Sequence, residues 1–386
     1  MAKLNKRIKI KDSEISRYSR QLILPEIGRE GQEKLKSSSV LCVGSGGLGS
    51  PLLLYLSAAG VGKIGIVDFD LVDESNLHRQ VIHSMKWLGK PKIESARSRI
   101  TEINPNCIVE TYKIALSSDN ALDIINDYDI VCDATDNFPT RYLVNDACVI
   151  LGKPNVYGSV LRFEGQASVF NLEKGSPNYR DLVPEPPPPG LVPSCAEGGV
   201  LGVIPGIIGL IQATEAIKII TKIGNTLSGR LLVFDALKMS FRELNIKASK
   251  NTPSITNLIE YREFCGYKAE EIDEDQKQIV TPKELKLILS ENHGEIVLID
   301  VRTPNERDFG YIDGSISIPL DTIKDPENID KLERISKDKS LIIYCKSGKR
   351  SLNALKILKE NNIACKNLEG GLISWREQID NNINVL

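Results

Sequence analysis

The chain has 386 residues, 41% of them hydrophobic and 26% charged, and its formal net charge is −2 at pH 7. This composition is typical of a soluble globular protein, and the length suits two ordinary domains or one large domain with additions. The near-neutral charge argues against nucleic acid or a membrane surface as the main partner. The eight cysteines are too scattered for a disulfide framework, which excludes a disulfide-stabilised secreted scaffold.

The N-terminal stretch MAKLNKRIKIKDSEISRYSRQ is basic but lacks the apolar core of a secretory signal. No apolar run approaches the length that we expect of a bilayer span. We therefore expect a cytoplasmic protein.

Strand-like and helix-like patterns alternate between about residues 38 and 160. The strand-like runs are SVLCVG, KIGIVDF, CIVETY, YDIVCDATD and KPNVYGS, and helical spacing marks GGLGSPLLLYLSAAG, KIESARSRITEI and PTRYLVNDACVIL. This alternation predicts an α/β fold with a mostly parallel, Rossmann-like sheet covered by helices. Longer, partly antiparallel strands are predicted in EGQASVFN and GRLLVFDALKMSFRELNIK, on either side of the apolar helix IPGIIGLIQATEAIKIITKI.

A glycine-rich turn follows the first strand. Gly44, Gly46 and Gly49 fit the pattern G-x-G-x-x-G between a strand and a helix, and Asp68 ends the next strand. Glycines at these positions let backbone N–H groups approach an anion at a helix N-terminus, and the acid is placed to bind a ribose. The turn predicts a nucleotide phosphate site but leaves NAD, FAD and other nucleotides open.

Two cations and a carboxylate follow this turn. Arg79 lies in DESNLHRQ, Lys92 in GKPKIESA and Asp136 in DATDNFPTRYLVN. Taken singly, the two cations are ordinary surface residues and Asp136 is an N-cap of the next helix. Together, at the carboxyl ends of the strands, they suit a triphosphate with Mg²⁺, and hydride transfer requires none of them. The set favours ATP chemistry over an NAD-dependent oxidoreductase.

The rest of the chain contains a crossing segment, a linker and a second domain. The segment NYRDLVPEPPPPGLVPSCAEGGV holds four consecutive prolines and is predicted to be exposed and semi-extended. The acidic stretch KAEEIDEDQKQI has the character of a linker, and a new α/β pattern begins beyond it. We predict a first domain at 1–266, a linker at 267–278 and a second domain at 279–386.

The first domain resembles a known enzyme family. The motifs RYSRQLILPEIG, GSGGLGS, DFDLVDESNLHRQ, GKPK, ATDN and EGQASVF, between about Arg17 and Lys247, resemble those of the ubiquitin-activating-type adenylating enzymes of the MoeB/ThiF group. The resemblance implies an enzyme that uses ATP to adenylate the C-terminal Gly-Gly carboxylate of a small sulfur-carrier protein, such as MoaD or ThiS, with release of pyrophosphate.

The same resemblance implies the residues of the site. Gly47 would approach the phosphates, Asp68 the ribose, and Asp136 would coordinate Mg²⁺. The other residues implied in ATP binding are Gly44, Gly46, Gly49, Ser75, Asn76, Leu77, His78, Arg79, Lys92 and Asn137. Arg20, the second arginine of RYSRQ, would reach the ATP of a neighbouring subunit, which implies a homodimer, and its loss would cost about 10³-fold in rate.

The family pattern is broken at a metal site. Many relatives carry two C-x-x-C pairs that bind a structural Zn²⁺. The corresponding positions hold Asn178 and Asp181 in one pair and Arg262 and Cys265 in the other, so three of the four thiolates are missing. We expect no structural zinc and an inert Cys265; stoichiometric, tightly held zinc in the purified protein would contradict this.

Cys195 lies in VPSCAEGGVLG, within the crossing segment. In the family this is the position of a cysteine associated with covalent bonding to the activated carrier, and a thiolate there can attack an acyl-adenylate or exchange with a persulfide. The alternative is a loop thiol with no catalytic role.

The second domain resembles a rhodanese over nearly its whole length, on the motifs IDVRTPNERDFGYIDGSISIPL, LIIYCKSGKRS and LEGGLISW. Its loop follows a strand, turns into a helix and consists of Cys345, Lys346, Ser347, Gly348, Lys349 and Arg350. Backbone N–H groups, the helix N-terminus and Arg350 are expected to stabilise an anion at sulfur and so to hold a persulfide on Cys345. A phosphatase-type loop and an inactive, partner-binding rhodanese domain are the alternatives.

The two resemblances together predict an adenylyltransferase and sulfurtransferase in one chain. ATP would activate the carrier's carboxylate, and sulfur from Cys345, with help from Cys195, would displace AMP to leave a thiocarboxylate. The implied pathway is molybdenum cofactor biosynthesis, with thiamine, cysteine or tRNA thiolation as alternatives, and the implied donor is a cysteine desulfurase. An NAD-dependent oxidoreductase and a non-catalytic adaptor are the competing functions.

Overall fold

A computed structural model describes residues 8–188, 191–192, 198–249, 252–266, 278–291 and 295–385. The chain divides into two compact units, Met1–Ala269 and Glu270–Leu386. The division falls inside the segment predicted as the linker.

The first unit is built on one large mixed sheet. Its strands are β1 Ser39–Val43, β2 Lys63–Val67, β3 Ile108–Tyr112, β4 Ile130–Asp133, β5 Asn155–Leu161, β6 Glu164–Phe170, β7 Arg230–Asp235 and β8 Ser240–Asn245. The order is β3-β2-β1-β4-β5-β6-β7-β8, with β3 to β5 parallel and β5 to β8 antiparallel. The predicted α/β fold, parallel in its first part and antiparallel in its second, is confirmed.

Helices cover both faces of this sheet, which is why β1 and β2 are almost continuous apolar runs with four of five residues buried in each. The helices are α1 Asp12–Leu22, α2 Gly28–Ser37, α3 Gly49–Ala59, α4 Lys92–Ile103, α5 Ala121–Asn126, α6 Phe138–Leu151, α7 Tyr179–Leu182, α8 Val203–Thr221 and α9 Tyr261–Phe264, with short 3₁₀ turns at Glu74–Asn76 and Met85–Trp87.

Helix α8 corrects the expectation that no apolar run approaches a bilayer span. Its 19 residues are long and apolar enough to cross a membrane by length and composition alone. In this fold α8 is a core helix, because Ile204 and Ile208 are fully buried and the Gln212 amide donates hydrogen bonds to the backbone oxygens of Asp133 (2.7 Å) and Val156 (3.0 Å). The apolar composition of α8 therefore reflects burial against the sheet.

The second unit is a smaller α/β fold. Its strands are β9 Ile279–Val280, β10 Ile296–Asp300, β11 Ile316–Ser317, β12 Ser340–Tyr344 and β13 Cys365–Leu368, and its helices are α10 Pro282–Glu291, α11 Pro304–Arg307, α12 Pro326–Ser336, α13 Lys349–Glu360 and α14 Gly371–Gln378. The strand order is β11-β10-β12-β13-β9, and all pairs are parallel. The central strand β12 leads directly into the loop that begins at Cys345.

Candidate functional site

The turn between β1 and α3 has the geometry of an anion site. Gly44 has a φ of 98°, in the left-handed region that favours glycine. A Cβ on Gly49 would lie 2.1 Å from the Gly44 carbonyl oxygen, so only glycine lets α3 begin this close to the turn. In the first turn of α3 the Ser50 N–H donates to the Gly46 carbonyl oxygen at 2.9 Å and Pro51 has no N–H, so this end of the helix favours an anion mainly through the positive end of its dipole.

A cavity of about 210 Å³ lies beside this turn, at the carboxyl ends of β1, β2 and β4. Such an edge is where open α/β sheets bind ligands. The predicted ATP-site residues that line the cavity are Gly44, Gly46, Gly47, Asp68, Arg79, Lys92, Asp136 and Asn137.

Asp68 holds the turn as well as facing the cavity. One carboxylate oxygen accepts hydrogen bonds from the Ser45 backbone N–H and hydroxyl, both at 2.8 Å. The other accepts from the backbone N–H of Asp70 at 2.9 Å. The oxygen that binds Ser45 is fully used by its two hydrogen bonds, but the oxygen that binds Asp70 keeps a lone pair for a ligand, so Asp68 can bind a ribose while it fixes the turn.

His83, which the sequence analysis did not single out, stabilises the same turn through a hydrogen bond to Ser45. Its Nε2 lies 3.0 Å from the Ser45 carbonyl oxygen and its Nδ1 lies 3.0 Å from the Ser95 hydroxyl. Because a carbonyl only accepts, Nε2 carries the proton and the ring is neutral with Nδ1 accepting. Burial lowers the pKa of His83 to about 4, and Lys92 adds to this, against smaller opposing effects of the Ser45 bond and Asp68.

The low pKa of His83 predicts a pH-dependent stability. The unfolded chain binds this proton below about pH 6.5, and the folded chain binds it only near pH 4, so the contribution of His83 is complete above pH 6.5 and is lost as the pH falls towards 4. The loss amounts to up to about 3 kcal/mol. We expect His83→Gln to flatten the change in the free energy of unfolding of the first unit between pH 7 and pH 4.5, measured by urea titration.

The matched control for His83 is His78→Gln, because His78 is exposed. Burial and the charge of Arg79 lower the pKa of His78 as well, but His78 is far less enclosed than His83, so His78→Gln should change the pH dependence less than His83→Gln does. An unchanged pH dependence in His83→Gln would contradict the assignment.

Two of the predicted cations occupy the cavity wall. Lys92, at the first residue of α4, is 7% exposed in its side chain and its Nζ lies 2.8 Å from the Asp70 carboxylate. Arg79 donates to the Ser75 carbonyl oxygen at 3.0 Å, and its side-chain stem lies over Gly47. Both positive charges therefore stand beside the glycine turn, where a phosphate chain can reach them.

The structure decides between the two interpretations of Asp136. The N-cap of α6 is Asn137, whose side-chain oxygen accepts the Thr140 backbone N–H at 3.0 Å. Asp136 is exposed at the cavity and makes no hydrogen bond or ion pair with the residues that the structure describes. Its carboxylate is therefore not needed for the helix and is available to a ligand.

In the second unit, Cys345 lies at the base of its loop and is 1% exposed. The Gly348 backbone N–H donates to Cys345 Sγ at 3.1 Å, and the Ser351 hydroxyl lies 3.4 Å from the same sulfur. Helix α13 begins at Lys349, so its N-terminus adds to the stabilisation of a negative charge at the sulfur. Backbone and hydroxyl donors thus serve the anion, as predicted for the backbone.

The predicted role of Arg350 is corrected. Its guanidinium forms a two-pronged ion pair with Glu306, at 2.7 and 2.6 Å, and does not donate to Cys345 Sγ. Burial would raise the pKa of Glu306, but hydrogen bonds from Arg350 and from Thr303 outweigh it and lower the pKa to about 2. Arg350 therefore anchors α13, the helix that follows the loop, to the segment that contains Glu306.

Comparisons with known proteins agree with this geometry. Residues 18–255 match the model of the ThiF family. The chain belongs to the ThiF family. Residues 281–378 match the model of the rhodanese-like domain, so a ThiF unit and a rhodanese unit follow one another in the order predicted.

Two relatives share this arrangement over most of their length. A Mycobacterium tuberculosis (strain H37Rv) protein named probable adenylyltransferase/sulfurtransferase MoeZ is 51% identical over 371 residues, which cover 95% of this chain and 94% of the relative. The adenylyltransferase and sulfurtransferase MOCS3 of Aedes aegypti is 44% identical over 390 residues, 96% of this chain and 89% of the relative. The prediction of an enzyme with both activities is confirmed, which decides against the oxidoreductase and adaptor alternatives.

A solved structure supports the fold of the ThiF unit. The structure of E. coli MccB with ATP superposes with a TM-score of 0.55 at 18% identity, over 66% of this chain and 77% of that one. At this identity the similarity shows the fold alone.

Some predicted residues do not reach the ThiF cavity. Gly49, Ser75, Asn76, Leu77 and His78 are absent from its wall. Ser75 and Asn76 instead form the 3₁₀ turn capped by Asp73, which places Arg79. Arg20, on α1, is exposed and is not part of the cavity of its own chain.

Besides His83, the sequence analysis missed three residues of the sites. Gln80 and Arg141 line the ThiF cavity, and only 5% of Gln80 and 7% of Arg141 is exposed. Ser351 lies beside Cys345 Sγ. Each lies within a stretch already quoted from the sequence, but the motif itself gives no signal of which polar side chain faces a cavity or a sulfur atom.

The positions of the missing zinc ligands are held by hydrogen bonds. The Asp181 carboxylate accepts from the Asn178 backbone N–H at 2.8 Å, from Ser249 N–H at 2.9 Å and from the Thr252 hydroxyl at 2.5 Å. Cys265 is buried, and burial raises its pKa to about 11. Within the described ranges no group of three or more metal-ligating side chains occurs; the absence of zinc stays a prediction.

The other cysteines that the structure describes are buried and unpaired. Cys42, Cys132 and Cys148 are buried in the strands and helix predicted to hold them. Burial raises the pKa values of Cys107 and Cys365 to about 12, so neither thiol ionises at neutral pH. Cys195 lies outside the described residues.

Proposed function

We propose that this enzyme adenylates the C-terminal Gly-Gly carboxylate of a small sulfur-carrier protein and then replaces AMP with sulfur delivered from Cys345. The observation that supports this proposal most directly is that one chain contains both sites. They are a ThiF cavity with an unpartnered Asp136 and a loop whose donors converge on the Cys345 sulfur. Relatives named for the same two activities support it. Molybdenum cofactor biosynthesis is the proposed pathway, before thiamine, cysteine or tRNA thiolation.

In the first step a carboxylate oxygen of the carrier attacks the α-phosphorus of ATP. A phosphorus–oxygen bond to the leaving pyrophosphate breaks, and the acyl-adenylate forms. Arg79, Lys92 and the N-terminus of α3 stabilise the charge that develops on the phosphates. Their fixed placement means that little reorganisation is needed during the reaction.

The residues present also fit Mg²⁺. Magnesium is commonly bound by one or two carboxylates together with phosphate oxygens and waters, and Asp136 offers one exposed carboxylate at the cavity. When bound, the ion neutralises phosphate charge. Asp136 would hold it, and Asn137 keeps the backbone of this segment in place by capping α6.

In the second step the terminal sulfur of a Cys345 persulfide attacks the acyl carbon, and AMP leaves. The product is an acyl disulfide between the carrier and Cys345. A second thiol must attack the Cys345 sulfur, which releases the thiocarboxylate and leaves a disulfide for a later reductant. The persulfide itself would come from an external donor such as a cysteine desulfurase.

Cys195 is our candidate for this second thiol. Val200 lines the ThiF cavity and follows Cys195 by five residues, and five residues of chain span at most about 18 Å. This short separation along the chain is the reason for choosing Cys195 as the second thiol.

We also propose a homodimer in a cytoplasmic setting. Arg20 is exposed away from the cavity of its own chain, and an arginine that completes a site in a second subunit must be free in this way. All seven described cysteines are unpaired, which suits a reducing compartment.

The proposal is tested by incubating the full chain with ATP and a panel of small polypeptides that end in Gly-Gly. Intact-mass spectrometry should show an AMP adduct on one of these polypeptides. Once a cysteine desulfurase and cysteine are added, the mass should show that one oxygen of its C-terminal carboxylate has been replaced by sulfur. If the enzyme cleaves ATP with none of the polypeptides in the panel, the proposal is contradicted.

A further inference from the structure

Arg141 is a buried cation of the ThiF cavity without an ion pair. It lies in the first turn of α6, lines the cavity and is 7% exposed. Its Nη2 donates to the Thr135 backbone oxygen at 3.1 Å, and its buried Nε has no acceptor. Nη1 makes no hydrogen bond to any residue in the described part of the chain, so this nitrogen is available to a ligand.

Other buried cations of the chain are paired. Arg180 donates two hydrogen bonds to Asp146, at 2.9 and 2.7 Å, and the fully buried Arg302 pairs with Asp300 at 2.7 Å. A buried charge without a partner is costly, which is why such groups are normally paired or bind a ligand. The guanidinium of Arg141 departs from that pattern at the cavity wall.

The protein nevertheless holds the guanidinium in place. The rings of Phe138 and Tyr157 each lie 5.7 Å from its central carbon, within the range of cation–π attraction. Asp133 and Asp136 act on its charge over a longer distance, but neither forms an ion pair with it. The arrangement fixes Arg141 while leaving part of its hydrogen-bonding capacity unused.

The strand order indicates which anion can bind beside Arg141. The neighbouring strands β2, β1 and β4 end in Asp68, the glycine turn and the Asp136 segment respectively. Adjacent strands are about 4.8 Å apart, so Asp68 and Arg141 lie on opposite sides of the turn. With the ribose at Asp68 and the phosphates over the turn, the open place for a second reactant is on the Arg141 side.

We propose that Arg141 binds the C-terminal carboxylate of the carrier and holds it beside the α-phosphate. This inference rests on the proposed function, because it takes the Gly-Gly carboxylate as the second reactant. A hydrogen bond to a charged group is worth about tenfold to a hundredfold in affinity. A neutral carboxamide at the same place still accepts a hydrogen bond through its oxygen, but it lacks the negative charge that strengthens the bond to a carboxylate. Arg141 therefore selects a carboxylate end.

The experiment compares one carrier in two chemical forms. The probe is the Gly-Gly polypeptide that supports ATP–pyrophosphate exchange, prepared with a C-terminal carboxylate and with a C-terminal carboxamide, and its affinity is measured by fluorescence anisotropy in the presence of a non-hydrolysable ATP analogue. The unsubstituted enzyme should prefer the carboxylate by at least about tenfold. In Arg141→Met this preference should fall to about one, with ATP affinity changed less than twofold.

Two control variants separate the outcomes. Arg242→Met removes an exposed arginine from β8 and should keep the preference, and Arg141→Lys, which keeps the charge, should retain part of it even if Arg141→Met folds poorly. A preference that survives in Arg141→Met, or a loss of ATP affinity without a change in preference, overturns the proposal. Exchange that is absent in the unsubstituted enzyme instead contradicts the proposed function itself.

Discussion

Replacing Asp136 with alanine is expected to reduce carrier-dependent ATP–pyrophosphate exchange by about 10²–10³-fold, the cost of losing one fixed electrostatic contact in a transition state. The carboxylate faces the cavity, while the capping of α6 belongs to Asn137. The loss should therefore appear in the rate and not in the fold. The free energy of unfolding should stay within about 0.5 kcal/mol, as for surface substitutions.

The comparison for Asp136→Ala is Asp119→Ala, which removes an exposed carboxylate elsewhere in the same unit. That variant should exchange pyrophosphate at the unsubstituted rate. If Asp136→Ala kept full exchange at saturating Mg²⁺, or lost it together with its folded structure, the role given to Asp136 would be wrong.

Replacing Cys345 with alanine is expected to abolish sulfur transfer and to leave adenylation intact. The persulfide needs the sulfur atom to which Gly348 N–H and the Ser351 hydroxyl are directed, and no neighbouring thiol offers the same donors. Thiosulfate–cyanide sulfur transfer should fall to background, while ATP–pyrophosphate exchange in the same preparation should be unchanged. The thiocarboxylate product should then be missing although the AMP adduct still forms.

The control for Cys345 is Cys365→Ala in the same unit. Cys365 is buried and its pKa is raised to about 12, so this variant should keep sulfur transfer. The sulfur role of Cys345 would be refuted by transfer that persists in Cys345→Ala and disappears in Cys365→Ala.

The sequence predicted those parts of the fold that depend on neighbouring residues. The strand–turn–helix around Gly44 and Gly49 is local, because a glycine pattern and an apolar periodicity are both read within one short window. The loop after β12 was found for the same reason. The resemblance to known families then supplied the order of the units and the identity of the nucleotide.

Contacts between distant segments were not predictable in this way. His83 meets Ser45 across 38 positions, and Arg350 meets Glu306 across 44, so neither pairing leaves a periodic signal. Asp136 and Asn137 are adjacent, and only the hydrogen bond to Thr140 shows which of them caps α6. Helix α8 was predicted from the sequence, but its apolar length was underestimated: Glu215 and Lys218 lie near its end, and the helix is still long and apolar enough to cross a membrane by composition alone.

The ion pair between Arg350 and Glu306 also bears on which anions the rhodanese loop accepts. With Glu306 held ionised down to a pKa of about 2, the guanidinium is neutralised at every pH at which the enzyme works. A doubly charged oxyanion such as phosphate would have to compete with a carboxylate for that arginine. A singly charged sulfur needs only the amide and hydroxyl donors around it. We therefore expect the loop to bind a persulfide in preference to a phosphate monoester.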